Sequence, residues 1–257
     1  MIRLSIIALL VLGFQSPITG EEPRALRLLT YNIHAGIGTD RVFDLKRIAA
    51  VISKEKPDIV ALQEVDRKTK RSKGIDIAEE LAKLTGMKSV FGASISFQGG
   101  EYGNALLTRL PIESFETIPL PEKVEVEKRS LLSATLRFRD REIEVLATHL
   151  CHREEQNRIA AVEAIANLTT KSRSPAFLLG DLNALPDSSP IKILLEAGWR
   201  NPSEEPKPTV PVEKPERQID YVLIRESNEL SMSVKEVRVL EEKVASDHRA
   251  LIVVLEW

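Results

Sequence analysis

The chain has one cysteine and four histidines among 257 residues, and aromatic side chains make up only 5% of it. A lone thiol, Cys151, cannot close an internal disulfide, so the fold must hold by packing alone. Cys151 is expected to be a buried, inert thiol. Cys–His pairs at zinc-finger spacing are missing. His149 and His152 stand three apart, but no glutamate motif beside them supports a zinc protease. A serine nucleophile elbow is absent as well. Lys and Arg number 36 against 38 Asp and Glu, so there is no basic surplus to grip a long polyanion non-specifically. No repeat of about 20–50 residues appears, and no low-complexity tract. Past the first twenty residues, no apolar run is long enough to cross a bilayer.

What is present begins with an address. Arg3 precedes an almost unbroken apolar run, Leu4 to Phe14, and Gln15 to Gly20 is small and polar. A charged start, a short apolar core and a small-residue exit describe a secretory signal. Residues 1–20 are therefore expected to be a signal peptide and 21–257 a single domain, secreted or held in the periplasm or cell envelope. An uncleaved anchor or a buried first strand is the alternative. Loss of the segment changes the formal charge only from −2 to −3, because Arg3 is its sole charge. The remainder, in a chain 43% hydrophobic and 29% charged, has the composition of a globular domain with a sizeable core.

The chain is organised around Ala176 to Asp187. An apolar strand stops at Gly180, and Asp181 and Asn183 follow at spacing two. A carboxylate can take a proton or hold a cation, and an amide can donate to an anionic oxygen. Together they suit a site that handles a phosphate and a metal; taken alone they also suit an Asx-type turn. Other strands end in the same manner. Leu26 to Tyr31 runs into Asn32 and His34, residues 58–62 into Gln63 and Glu64, and residues 142–148 into His149. Asp220 lies near the start of the strand over 218–224, and Asp247 and His248 precede the last strand, 251–255. Helices are expected over 45–54, 75–84, 154–170 and 189–197, from apolar residues at helical spacing. Strands are expected over 87–97, 104–108, from 111 onward, over 129–138 and over 234–240. Residues 99–103 and 122–128 are read as loops, and the proline-rich stretch 202–215 as an exposed loop. One polar residue at a strand end means little, but eight, namely Asn32, Glu64, His149, Asp181, Asn183, Asp220, Asp247 and His248, imply a common rim.

These blocks resemble the endonuclease/exonuclease/phosphatase superfamily of metal-dependent phosphoesterases. The matching stretches are Thr30 to His34, Leu62 to Asp66, Tyr102 to Thr108, Thr148 to Leu150, Gly180 to Asn183, Ile219 to Tyr221 and Ser246 to His248. They cover about residues 26–256 in the family's order. The resemblance implies a four-layer α/β sandwich, with two mostly antiparallel β-sheets packed face to face and helices outside. It also implies Mg2+ or Mn2+ held by Glu64, with Asn32 and Asp247 beside it. Asp181 would position or deprotonate the attacking water. Asn183 and His149 would hold phosphate oxygens, His248 would face the phosphate with Asp220 behind it, and Asn104 would line the site. Some members, notably DNA-repair nucleases, carry Asp where this chain has His34, which speaks against a second metal ligand there and against a DNA-repair role.

The expected function is an exported hydrolase of phosphodiesters or phosphomonoesters, acting by in-line water attack as a monomer without a stable protein partner. Its substrate would be a small molecule, a phospholipid head group or nucleic acid. The exposed apolar hairpin expected of a sphingomyelinase-type lipase is not evident. The rivals are a nuclease, a catalytically inactive binding module on the same fold, and metal-dependent amide hydrolysis. Intact Glu64, Asp181 and His248 argue against the binding module. Amide hydrolysis would want two or three clustered histidine ligands, in a chain that has four histidines in all.

Overall fold

A computed structural model describes residues 25–169, 174–227 and 232–256. The expected signal segment, residues 1–20, lies outside the described residues. Eleven strands form two sheets. The first has six strands in the order β10-β11-β1-β2-β4-β3: β1 (Leu26–Asn32), β2 (Ile59–Arg67), β3 (Lys88–Phe97), β4 (Gly100–Thr108), β10 (Ser233–Val239) and β11 (Leu251–Glu256). The second runs β5-β6-β7-β8-β9: β5 (Ile112–Pro119), β6 (Ser130–Phe138), β7 (Arg141–His149), β8 (Ala176–Asp181) and β9 (Asp220–Arg225). Every pairing is antiparallel except β1 with β2 and β7 with β8. Both sheets are thus mostly antiparallel, as expected. Helices α1 (Leu45–Glu55) and α2 (Ile77–Thr85) belong to the first half of the chain, α3 (Glu155–Thr169) and α4 (Ser189–Glu196) to the second.

The layering follows from strand alternation, because successive side chains point to opposite faces. On β1, Leu26 and Leu28 enter the layer between the sheets, where they join Phe177 and Leu179 of β8 and Val145 of β7. Leu29 and Tyr31 face the other way and pack with Ile48 and Ile52 of α1 and Leu81 of α2. On β8, Ala176 and Leu178 turn outward to Val162 and Ile165 of α3 and Leu194 of α4. Central strands covered on both faces read as continuous apolar runs rather than as alternation. The four layers are helix, sheet, sheet, helix. Asp44 caps α1 by accepting from Arg47 N at 3.1 Å, and Asp76 caps α2 in the same way from Glu79 N.

Three sequence expectations are corrected. First, β2 does not stop at Leu62. It shifts register between Leu62 and Val65 and then pairs on with Tyr102 and Glu101, so Glu64 sits in a bulge within the strand. Second, β4 begins at Gly100, so most of the expected loop 99–103 is strand, paired on both edges. Hydropathy does not register backbone pairing, and both errors arise there. Third, the stretch 202–215 is a loop exposed only in part: 204–206, 211, 213 and 214 are exposed, but Thr209, Val210 and Val212 are buried. Prolines end regular structure, but they do not keep a segment away from the core.

Gly180 occupies the point where β8 meets the rim. It pairs with Thr148 across the parallel β7–β8 contact. A methyl group there would lie 2.0 Å from the Thr148 carbonyl oxygen. Gly180→Ala should therefore cost about 1–3 kcal/mol, since neither backbone can give way. Equilibrium urea unfolding followed by circular dichroism checks this, and an unchanged midpoint would contradict the close approach.

Candidate active site

The strand ends β1, β2, β7, β8 and β9, with the loop before β11, converge on one edge of the sandwich. Their backbones are unusual there. Glu64 (φ 59°), Asn183 (φ 47°) and His34 (φ 46°) all take left-handed conformations without being glycine. Such residues cost energy and gather where a site needs a side chain aimed against the local preference. At Glu64 the bulge turns the carboxylate toward Asn32.

Asn32 and Asp181 tie the two sheets together. Asn32 Nδ2 donates to Glu64 Oε1 at 3.0 Å and reaches Asp181 Oδ2, on the other sheet, at 3.2 Å. Its Oδ1 accepts from His34 N at 3.1 Å, which sets the orientation of the amide. Ser246 Oγ donates to the Asn32 carbonyl at 2.7 Å and to Asp247 Oδ1 at 3.3 Å, so the loop before β11 joins the same edge. Asp181 is almost fully buried. Its Oδ1 accepts from Asn183 N at 3.0 Å, and its Oδ2 lies 3.5 Å from His149 Nε2 and 3.7 Å from His248 Nε2. His248 Nδ1 donates to Asp220 Oδ2 at 2.9 Å. Asn183 Nδ2 donates to the Leu150 carbonyl at 3.1 Å and keeps a second amide hydrogen.

Asn32, Glu64, His149, Asp181, Asn183, Asp220, Asp247 and His248 thus form one connected set. Asn104 joins it only indirectly. Its Nδ2 donates to the Ser130 carbonyl, which also accepts from Thr148 Oγ1 next to His149. Asn104 Oδ1 and His149 Nδ1 are buried without a partner, which is how atoms waiting for a ligand or a water look. Beside the set opens a cleft of about 470 Å³, whose walls include His248, Asn183, Asp247, His152, Val210 and Val212. A hollow of similar size near Arg67 and Glu101 lies away from this rim, and those two side chains pair with each other.

Burial sets the proton chemistry. Burial, followed by the charge of Arg129 and then of His248, drives His149 well below its ordinary value, so it is a neutral imidazole. Burial, followed by the neighbouring Asp220 carboxylate, raises Asp181, against the opposing pull of His248, the Asn183 N–H and Asn32. For His248 burial works downward, but Asp220, through charge and hydrogen bond, and then Asp181 and Asp247 overcome it and lift the imidazole to about 10. His248 is therefore an imidazolium at neutral pH.

The residues fit a hard divalent cation. The anionic ligands free at the rim are the carboxylates of Glu64 and Asp247, with no thiolate beside them, which suits Mg2+ or Mn2+ rather than a softer metal. No Lys or Arg pairs with Glu64 among the described residues, and Asp247 is half exposed, with Ser246 Oγ at 3.3 Å and His34 Nδ1 at 4.0 Å. Asp181, Asp220 and His248 also bring ligand atoms within 4.8 Å of one another. In that group, however, Asp220 and His248 already spend their facing atoms on each other. Asn32 turns its nitrogen, not its oxygen, to both carboxylates, which makes it a bridge between Glu64 and Asp181.

Two contributors escaped sequence reading. Arg129, buried at the start of β6, bears on His149 electrostatically and reaches His152 Nδ1 at 3.4 Å. Its position after a charged loop offered no signal. Thr209 donates to Asp220 Oδ2 from within the stretch taken for exposed loop.

Two mostly antiparallel sheets packed face to face, with helices outside and a shared rim of carboxylates, amides and imidazoles, define a four-layer α/β sandwich. A model of the Endonuclease/Exonuclease/phosphatase family matches residues 29–248, and the chain belongs to that family. It is similar to YbhP of Escherichia coli (strain K12), 25% identical over 243 residues that span 88% of this chain and 94% of that protein. An endonuclease/exonuclease/phosphatase from Beutenbergia cavernae DSM 12333 superposes with a TM-score of 0.80 at 27% identity, covering 91% of this chain and 72% of that one. The mannosyl-6-phosphatase Bt3783 of Bacteroides thetaiotaomicron VPI-5482 shares the fold, with a TM-score of 0.72 at 17% identity over 90% of this chain and 100% of that one. Members of the family are hydrolases acting on phosphoester bonds.

The raised His248 has a consequence for stability. Its folded value lies above the unfolded 6.5, so the stabilisation is complete below that pH and is lost as pH rises toward about 10. In the metal-free protein, NMR titration should find the imidazole charged through neutral pH. Asp220→Asn should bring its midpoint down by several units as burial takes over. A midpoint near 6.5 in the parent would contradict the pairing.

Proposed function

We propose that this chain is an exported, divalent-metal-dependent phosphoesterase that hydrolyses a phosphodiester or phosphomonoester by direct, in-line attack of water. The observation that carries the reading is the position of Asp181. One buried oxygen of its carboxylate is shared by Asn32 of the opposite sheet at 3.2 Å, His149 at 3.5 Å and His248 at 3.7 Å. A carboxylate with raised proton affinity, surrounded by donors, is suited to accept a proton from water near neutral pH.

The division of labour follows from charge. Glu64 and Asp247 would hold the cation with Asn32 between them and Asp181, and bound Mg2+ or Mn2+ would neutralise phosphate charge. Asp181 orients the water and takes its proton, while the Asn32 amide prevents the carboxylate from rotating. His248, charged and backed by Asp220, faces the phosphate and offers its Nε2 proton. Neutral His149 and the free amide hydrogen of Asn183 donate to non-bridging oxygens without adding charge. Asn104, at the back of the site, offers an unpartnered acceptor to a substrate hydroxyl or a water. Fixed donors of this kind meet charge as it develops and need no reorganisation.

The cleft supports a small phosphate ester or a phospholipid head group ahead of nucleic acid. Formal charge is slightly negative, and the cleft walls include no aromatic residue on which a base could stack. The structural likeness to a mannosyl-6-phosphatase is consistent with a small phosphorylated substrate. Export is supported by the pattern of residues 1–20, and action as a monomer without a stable partner completes the reading.

Protein purified from Glu21 onward, screened with Mg2+ and Mn2+ against phosphomonoester, phosphodiester and phospholipid panels, tests the proposal. Asp181→Asn should lower kcat by about 10²–10⁴-fold with little change in KM, since the amide keeps the shape but cannot accept a proton. Glu64→Gln should leave the fold intact and sharply weaken the response to Mg2+. A fully active Asp181→Asn enzyme would place water activation elsewhere. Export has its own check: mass spectrometry of protein secreted by a native-type host should find a mature chain beginning close to Glu21.

A further inference from the structure

Asp220 and His248 come from different elements, β9 and the loop before β11, and one residue grips both. Thr209 is fully buried. Its hydroxyl donates to Asp220 Oδ2, the same oxygen that accepts from His248 Nδ1. Its carbonyl accepts from the backbone N–H of Arg249, immediately after His248, at 3.0 Å. Its own N–H donates to the Arg217 carbonyl at 2.9 Å, and Val210 bridges to Arg217, which closes the segment into a small antiparallel clasp. Arg249 Nε donates to the Val212 carbonyl at 2.7 Å and locks the clasp from outside.

The clasp matters because Asp220 is otherwise poorly held. Its other oxygen, Oδ1, is buried with no partner. A carboxylate with one satisfied and one orphaned oxygen has reason to rotate, and rotation would release the imidazole, whose Nε2 already lies 3.7 Å from Asp181 Oδ2. With a hydroxyl and an imidazole N–H both bound to Oδ2, rotation breaks two hydrogen bonds at a carboxylate buried from solvent, where each is costly to leave unmade.

We propose that Thr209 is a positioning residue of this active site: its hydroxyl fixes the rotation of Asp220 and thereby the aim of His248, while its carbonyl fixes the loop that carries the imidazole. The idea rests on the phosphoesterase reading only for its kinetic consequence; the bonding itself is independent of any substrate. Three groups thus act in series: Thr209 holds Asp220, Asp220 holds His248, and only His248 faces the phosphate. The proline-rich segment 202–215 is then part of the catalytic support, and Val210 and Val212, in the same clasp, form a wall of the cleft. A shift of the segment would alter both the wall and the imidazole.

The test uses Thr209→Val, which keeps the shape and removes the hydroxyl, and Thr209→Ser, which restores it. In the metal-free full domain, NMR should find the His248 Nδ1–H resonance far downfield in the parent, moved upfield or lost in Thr209→Val and recovered in Thr209→Ser. On whichever phosphoester the parent hydrolyses, Thr209→Val should lower kcat about tenfold, in the range expected for residues that orient those at the centre, with KM and Mg2+ response unchanged and activity returning in Thr209→Ser. Combined with Asp220→Asn, the Thr209→Val loss should largely disappear, because the two act through one hydrogen bond. An Nδ1–H resonance identical in parent and Thr209→Val would overturn the proposal whether or not any substrate is found. So would losses that add fully in the double variant. If no phosphoester is hydrolysed but the resonance behaves as expected, the positioning role stands and the phosphoesterase reading fails.

Discussion

The apolar layer between the two sheets is the constraint on which the rest depends. Leu28, Ile59 and Val253 on one side and Val145, Phe177 and Val222 on the other are all essentially inaccessible to solvent. Each such side chain contributes roughly 1.5–3 kcal/mol of burial, and together they hold two independently paired sheets face to face. The rim exists only because of that packing. Asn32 belongs to the first sheet and Asp181 to the second, and the hydrogen bond between them joins residues 149 positions apart. Neither sheet alone carries the whole set of groups: Asn32, Glu64 and the loop with Asp247 and His248 belong to the first, and His149, Asp181 and Asp220 to the second.

Putting those groups together has an electrostatic cost that the structure meets locally. Asp181 and Asp220 are both buried and near each other, which raises Asp181 and draws His248 into its charged form. Hydrogen bonds from Asn32, the Asn183 backbone and Thr209 offset part of the burial penalty without adding formal charge. The result is a carboxylate with raised proton affinity beside a His248 that is charged at neutral pH and a neutral His149, three protonation states held within one cluster by environment. Environments that push such values apart mark acid and base roles in enzymes. Positive-φ backbone at Glu64, Asn183 and His34 is a second local cost borne at the same rim.

Much of this was legible in the chain. The apolar runs of β1 and β8 marked them as strands, though not how they layer, and apolar residues at helical spacing marked α1 and α2. The polar residues at strand ends pointed to the members of the rim through their number, since any one of them could equally have closed a turn. The bulge at Glu64 was not legible: its cause is pairing with β4 across an irregular register, and nothing in residues 62–65 signals it. Thr209 and Arg129 were missed because their surroundings, prolines in one case and charges in the other, are those of surface loops. Their burial depends on what folds over them.

The sequence by itself determined which residue types could do chemistry and in what order they occur. It also ruled out disulfides, thiolate metal sites and a strongly basic surface, since those depend only on composition. Tertiary structure alone decided that Asn32 bridges Glu64 and Asp181 by its nitrogen, that one oxygen of Asp220 serves both His248 and Thr209, and that His149 is neutral while His248 is charged. The physical reason is that orientation and proton affinity are set by burial and by neighbours within a few ångströms. In this fold those neighbours arrive from distant parts of the chain, through the packing of one sheet on another.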